Sequence, residues 1–211
     1  TFTMNHSGKK TFENRGLAGL TAGETSICAV NQTQLIYRGY EIADLAANAS
    51  FEEVAFLLLV GHKPNPQELA DFDARLKASR TPPPAATALI REIAKTAPDT
   101  HPMSALRTAV SMAGHLDHEC EDNGPEAELA KSIRLTAMIP ALIGAHQTAL
   151  DGKDQVHADS ELSHAGNLLW CMTGEKPGVL ATKVMDVSLV LYAEHDLSLI
   201  HISEPTRQQG I

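Results

Sequence analysis

The residue with the clearest chemical potential is His195, which stands between two acids in the segment AEHD at residues 193–196. It follows an apolar helical pattern. At 100° per residue His195 continues one apolar stripe, whose other members are Leu180, Val184, Val187 and Leu191. We therefore predict that His195 lies on the core-facing side of the last helix. On the same wheel Lys183, Asp186 and Asp196 face away from the core, and Glu194 lies at the margin.

The position of His195 also favours its protonated form. A helix C-terminus and the neighbouring Glu194 and Asp196 stabilise an imidazolium, an effect of up to about 2 kcal/mol in favourable cases. Such a cation suits a carboxylate ligand. The same pattern also fits a histidine that only caps the last carbonyl groups of the helix, and the spacing leaves both interpretations open.

Three further patterns are weaker. His115 and His118 lie one helical turn apart with Cys120 beyond them, but no fourth ligand follows at a suitable spacing, so we predict a solvated helix end and no metal site. Arg107 is a candidate anion ligand, although an arginine on one face of a helix usually does no more than keep that face in contact with solvent. No strand precedes the glycines of RGLAGLTAG, at residues 15–23, so they predict a loop rather than a phosphate site.

Composition narrows the class of protein. The net charge of −9 argues against nucleic acid and anionic membranes as partners. Three widely spaced cysteines predict neither a disulfide framework nor a metal knuckle and fit a reducing cytoplasm. The longest apolar run, VAFLLLV at 54–60, is far below the roughly 20 residues that a membrane span needs.

The elements that would position these residues are mostly helices, because aromatic residues make up only 4% of the chain and helix formers fill most segments. Residues 25–38 predict one short β-hairpin, which we expect to be the only sheet. Helix signals follow at Ser50 with Glu53 and at Asn65 before Pro66, and Gly61 and Gly174 are placed to end helices. The predicted fold class is mainly α.

Several segments resemble the citrate synthase family in order and spacing, and are nearest to the bacterial 2-methylcitrate synthases. The strings that carry the resemblance are TAGETSICAV, LIYRGYEIADLA, SFEEVAFLLLVG, HPMSALRTAVS, TGEKP and SLVLYAEHDL. The resemblance implies an N-terminal extension at 1–20 and part of the family's large helical domain at 21–197. It also implies that His195, which matches the histidine of the family's AEHD-type motif, helps to hold oxaloacetate.

The family condenses an acyl-CoA with oxaloacetate, without a prosthetic group. The resemblance therefore implies propionyl-CoA or acetyl-CoA as substrate and a homodimer, for which the helices around 103–115 and 127–149 are the candidate contacts. The family's remaining catalytic groups come after AEHD, and this sequence contains none of them. We expect a fragment without turnover. The alternative is a non-catalytic helical module that binds or regulates a partner.

The resemblance stops at Ser198, where the family has an asparagine. The following string SLIHISEPTR resembles translated sequencing-adapter DNA, so residues 198–211 predict a non-native tail.

Overall fold

The computed structural model describes residues 3–4, 10–11, 25–30 and 34–194. Within them the chain is mostly helical, which confirms the predicted fold class. The strands are β1 (Thr3–Met4), β2 (Lys10–Thr11), β3 (Cys28–Val30), β4 (Leu35–Tyr37) and β5 (Tyr40–Glu41). The helices are α1 (Ile42–Asn48), α2 (Phe51–Val60), α3 (Pro66–Ala78), α4 (Pro84–Thr96), α5 (Pro102–His115), α6 (Pro125–Leu150), α7 (His164–Thr173) and α8 (Val179–Leu191).

The sheet is larger than the single hairpin that the sequence predicts. β3 and β4 pair as expected, with Cys28 opposite Tyr37, but β4 turns back once more into β5. The two-residue turn uses Arg38 at φ 48° and Gly39 at φ 90°, the positive dihedrals that a tight hairpin requires. β1 and β2 form a second, two-stranded sheet. The expectation of one hairpin and no other sheet is therefore wrong.

Local capping explains where the central helices begin and end. Ser50 and Glu53 form the reciprocal capping box at the start of α2, and Asn65 with Glu68 forms another at the start of α3. Gly61 and Gly174 end α2 and α7 in the left-handed conformation, which costs glycine little. These four sequence predictions are confirmed.

The buried residues form two apolar clusters. One joins the sheet to α1, α2, α3 and α8 around Tyr37, Leu57 and Val190. The other joins α4, α5 and α6, where the fully buried residues of α5 are the small Ala105, Ala109 and Ala113. The long helix α6 contributes to both clusters and also packs against α7. α6 is thus the central support of the described chain.

The predicted orientation of α8 is wrong. Leu180 and Val184, assigned to the core-facing stripe, are 78% and 58% exposed, and Leu191 is 44% exposed. The buried side chains of α8 are Asp186 and Val190. The Asp186 carboxylate accepts a hydrogen bond of 2.9 Å from the Phe51 amide at the start of α2, which gives this acid a reason to face inward. Periodicity found the apolar stripe but not which side of the helix packs.

Candidate functional site

The best-defined feature near the predicted substrate histidine is the attachment of the C-terminal end of α8 to the sheet. Tyr37 on β4 is fully buried. Its hydroxyl lies 3.2 Å from the Leu191 carbonyl oxygen and 3.1 Å from the Glu194 carbonyl oxygen. One hydroxyl proton can be donated to one of these oxygens at a time, or shared between them. The bond ties residues 191–194, which lead directly into His195, to the first apolar cluster.

The protonation state of Tyr37 suits this role. Burial raises the pKa of Tyr37 above its ordinary value, and this outweighs the bond to Glu194, which lowers it. The hydroxyl therefore stays protonated and remains a donor throughout the neutral range. The hydrogen bond from the Tyr37 hydroxyl, which we call the anchor, is therefore present in the folded protein near neutral pH.

His195 itself lies outside the described residues, as do Asp196 and the predicted tail at 198–211. Its role in holding oxaloacetate stays a prediction. The structure does describe the approach to it, because Ala193 and Glu194 are half-buried and Ala193 packs against the first apolar cluster. The stripe that was expected to carry His195 inward is exposed at Leu180 and Val184, so the stripe no longer supports an inward-facing ring.

Replacing Tyr37 by phenylalanine removes the anchor and keeps the aromatic packing. We expect the free energy of unfolding to fall by about 1 to 2 kcal/mol, because the buried hydrogen bond to the Leu191 and Glu194 carbonyl groups is lost. Amide exchange should accelerate first at residues 191–194. Tyr40→Phe is the matched control, because the Tyr40 side chain is 36% exposed and should respond little. Equal losses in both variants would contradict the anchor.

A second feature is a buried polar cluster on one face of α7. His164, Asn167 and Cys171 are buried at spacings of three and four residues, so they share a helical face. The His164 amide donates 2.7 Å to the buried Glu52 carboxylate, and the Asn167 side-chain oxygen accepts 2.9 Å from the Asp159 amide. The cluster therefore joins α2, α7 and the loop before α7.

Burial dominates the chemistry of this cluster. Burial, assisted by the nearby charge of Arg80, lowers the pKa of His164 to about 4, so its ring is neutral at pH 7. Burial raises the pKa of Cys171 to about 11 and keeps it a thiol. Near neutrality the Cys171 thiol is therefore protonated and a weak nucleophile, and the His164 ring is a weak base. The cluster is better suited to binding than to proton transfer.

Arg80 completes the cluster from the loop after α3. It is 2% exposed, and one guanidinium nitrogen, Nη1, donates to the Asp159 carbonyl oxygen. Nε and Nη2 of Arg80 have no hydrogen-bond partner among the described residues, and neither do Nδ2 of Asn167 and Nδ1 of His164. The sequence did not single out Arg80, His164 or Asn167 as site residues. The available signal was the single-face spacing of His164, Asn167 and Cys171 in a helix whose other positions are largely apolar.

The other sequence candidates lie on the surface. His115 is exposed at the end of α5, and the His118 side chain is 85% exposed with Nδ1 3.9 Å from Asp117. Cys120 is an exposed free thiol next to Glu121. Across the described ranges, no three His, Cys, Asp or Glu side chains are grouped to hold a metal ion. Arg107 is exposed on α5 and borders a shallow cavity with His115.

None of the described helices combines the length and the apolar character that crossing a membrane requires.

Comparison with known proteins shows which family the chain matches. The family described as "Citrate synthase, C-terminal domain" matches residues 16–199. The citrate synthase of Deinococcus radiodurans is 39% identical over 186 residues, which cover 87% of this chain and 48% of that protein. The 2-methylcitrate synthase of Shewanella oneidensis is 39% identical over 199 residues, which cover 91% of this chain and 50% of that protein.

Solved structures give the same result for the fold. Citrate synthase from Pyrobaculum aerophilum superposes with a TM-score of 0.80 at 31% identity, over 93% of this chain and 50% of that one. Citrate synthase from Thermoplasma acidophilum, solved as a ternary complex with carboxymethyl coenzyme A and oxaloacetate, has a TM-score of 0.79 at 18% identity, over 85% and 47% of the two chains. The chain thus spans about half the length of the relatives that it matches.

Proposed function

The chain belongs to the citrate synthase family, and from this premise we propose that it is the portion of a condensing enzyme that carries the oxaloacetate-binding histidine. The complete enzyme would condense propionyl-CoA or acetyl-CoA with oxaloacetate, giving 2-methylcitrate or citrate and free CoA. The observation that carries the proposal is the family match over residues 16–199, because this range includes the AEHD segment. Relatives of both kinds, citrate synthases and 2-methylcitrate synthases, support the choice of substrates.

The proposed chemistry assigns a limited role to this chain. A base removes a proton from the α-carbon of the acyl-CoA, and that carbon attacks the ketone carbon of oxaloacetate, whose oxygen takes up a proton. Water then cleaves the thioester, releasing CoA and a new carboxylate. His195, as an imidazolium, would donate a hydrogen bond to oxaloacetate and stabilise negative charge. Tyr37 supports this step by fixing residues 191–194 immediately before it.

The remaining steps require groups from the other half of the family fold. The resemblance assigns proton transfer and the carboxylate clamp to two later histidines, a later aspartate and several arginines, whose motifs are absent from these 211 residues. We therefore expect no turnover by this chain alone. No metal or prosthetic group enters the proposed reaction.

A chimaera tests the proposed role of His195. Residues 16–197 would replace the matched half of the Deinococcus radiodurans citrate synthase, and CoA release would be followed with oxaloacetate and each acyl-CoA. We expect turnover, and His195→Ala should raise the KM for oxaloacetate and lower kcat/KM by a factor of about 100 or more, the scale of a lost charge-assisted hydrogen bond. His118→Ala, at an exposed position, is the matched control.

The two outcomes of the chimaera experiment are distinct. An active chimaera in which His195→Ala behaves like His118→Ala would remove His195 from the substrate site. A folded chimaera without any turnover would argue that this half does not belong to a condensing enzyme.

One observation favours the second function, a helical interaction module. The outer face of α8 leaves Val179, Leu180 and Val184 at 89%, 78% and 58% exposed, with Tyr192 at 77% beyond them. Apolar area of this kind usually marks a contact surface.

Homodimerisation and a cytoplasmic location also stay predictions. Light scattering combined with size exclusion distinguishes a dimer from a monomer, and a stable monomer would remove the homodimer from the proposal for this half.

A further inference from the structure

Beyond the condensation reaction, the polar cluster around Arg80 has an excess of buried hydrogen-bond donors. Nε and Nη2 of Arg80 carry three N–H bonds, and Nδ2 of Asn167 carries two more. None of these nitrogens has a partner among the described residues. The one unpartnered nitrogen that can accept is Nδ1 of His164, and only when its proton is on Nε2. Buried donors without acceptors are costly and call for an acceptor that the side chains do not supply.

The side chains of Arg80 and Asn167 are neighbours because both form a hydrogen bond with the backbone of Asp159. Nη1 of Arg80 donates to the carbonyl oxygen of Asp159, and the amide of the same residue donates to Oδ1 of Asn167. His164 lies one turn before Asn167 on α7, and the charge of Arg80 contributes to the lowered pKa of its ring. Arg80, His164 and Asn167 are 2%, 4% and 0% exposed, so all three side chains lie in the interior.

The charge of Arg80 is not neutralised by direct contact. Asp73, Glu52 and Asp159 are its acidic neighbours, but none of their carboxylates forms an ion pair with the guanidinium group. Glu52 receives the His164 amide and Asp73 pairs with Lys77 at 2.8 Å. A guanidinium buried in this way is stabilised by an anion held against it.

We propose that Arg80, Asn167 and His164 form a buried binding site for a small monovalent inorganic anion of the size of chloride. An anion accepts hydrogen bonds and donates none, so it matches a group of donors better than water, which must also place its own two protons. One positive charge on a buried side chain favours a single, weakly hydrated anion over sulfate or phosphate, whose desolvation costs more.

Arg80 also borders a cavity on the surface of the protein. This cavity has a volume of about 500 Å³ and lies between α4, α6 and the loop before α7. Three other basic side chains, Arg91, Lys95 and His157, line the same cavity, and Glu92 is its one acidic lining residue. In a chain of net charge −9 this cavity is a local basic region, and it would concentrate anions at its mouth.

The test compares chloride with methanesulfonate, a larger anion, at constant sodium concentration. We expect the Tm of the 211-residue chain to rise saturably as chloride replaces methanesulfonate, because an anion bound only by the folded state stabilises it. Arg80→Met should abolish this dependence. Lys95→Met, which removes a lining charge at an exposed position, should retain it. A Tm independent of chloride, or an equal response in Arg80→Met, would overturn the site.

A crystallographic measurement tests the site in the chain without any substitution. Crystals grown in bromide should show an anomalous peak at hydrogen-bonding distance from the Arg80 guanidinium and the Asn167 amide. Density at that position without an anomalous signal would identify an ordered water molecule and refute the proposal. Both tests of the anion site are independent of the proposed condensation reaction, because neither of them involves oxaloacetate or acyl-CoA.

Discussion

Replacing Gly144 by alanine should lower the free energy of unfolding by about 3 kcal/mol or more, a large overpacking effect. Gly144 lies inside α6 where it crosses α7. A Cβ built on it would lie 2.6 Å from the Cβ of Cys171 and would also collide with the Cys171 carbonyl group. Backbone cannot move aside as a flexible side chain can, so the two helices must separate. Urea denaturation measures the loss.

Gly114→Ala is the matched control for this prediction. Gly114 is also helical, near the end of α5, and a Cβ there would meet nothing within 4 Å. We expect it to stabilise the chain by up to about 1 kcal/mol, because alanine has the higher helix propensity. A neutral Gly144→Ala would show that α6 and α7 are not packed as closely as the structure has them.

Acid should destabilise the chain through His164. Its folded pKa of about 4 lies below the ordinary value of 6.5, so between these values the unfolded chain binds a proton that the folded chain does not. Stability is unaffected above pH 6.5 and falls as the pH drops from 6.5 towards 4. The full effect approaches about 3 kcal/mol, since each pKa unit corresponds to about 1.4 kcal/mol.

The variant His164→Gln isolates this effect. It loses the ring contact with Phe51, at 4.7 Å between centroids, so its stability at pH 7 should be lower. Its stability should nevertheless fall much less between pH 6.5 and 4 than that of the parent chain. His118→Gln, at an exposed ring, should keep the parental slope. Parallel profiles for the parent and His164→Gln would show that His164 is not buried as a neutral ring.

The fold was largely predictable because its signals are local. Capping boxes at Ser50 and Asn65 and terminal glycines at 61 and 174 fix helix ends through hydrogen bonds within a few residues, and those bonds are present. Strand β5 was not predicted, because the turn before it places Arg38 at a positive φ that few side chains favour. The Arg38 guanidinium donates to the Ser26 hydroxyl and to the Leu58 carbonyl oxygen, and these contacts hold Arg38 in that conformation.

The site was less predictable because its contacts are long-range. Asp186 looked like a solvent-facing acid, and nothing near it in sequence reveals that the Phe51 amide needs its carboxylate. The apolar stripe of α8 pointed to the core, although apolar periodicity cannot distinguish a chain's own core from a surface that another part or partner covers. Arg80 and Asn167 meet through Asp159, a contact that no sequence spacing encodes.

Release of CoA by the purified 211-residue chain shows whether the chain alone can catalyse the condensation. We propose that this half of the family fold presents a histidine to oxaloacetate but does not by itself complete the reaction. With oxaloacetate and either acetyl-CoA or propionyl-CoA in excess, the thiol should appear no faster than in buffer. Sustained release of CoA, matched by citrate or 2-methylcitrate, would contradict the proposal that this chain cannot turn over alone.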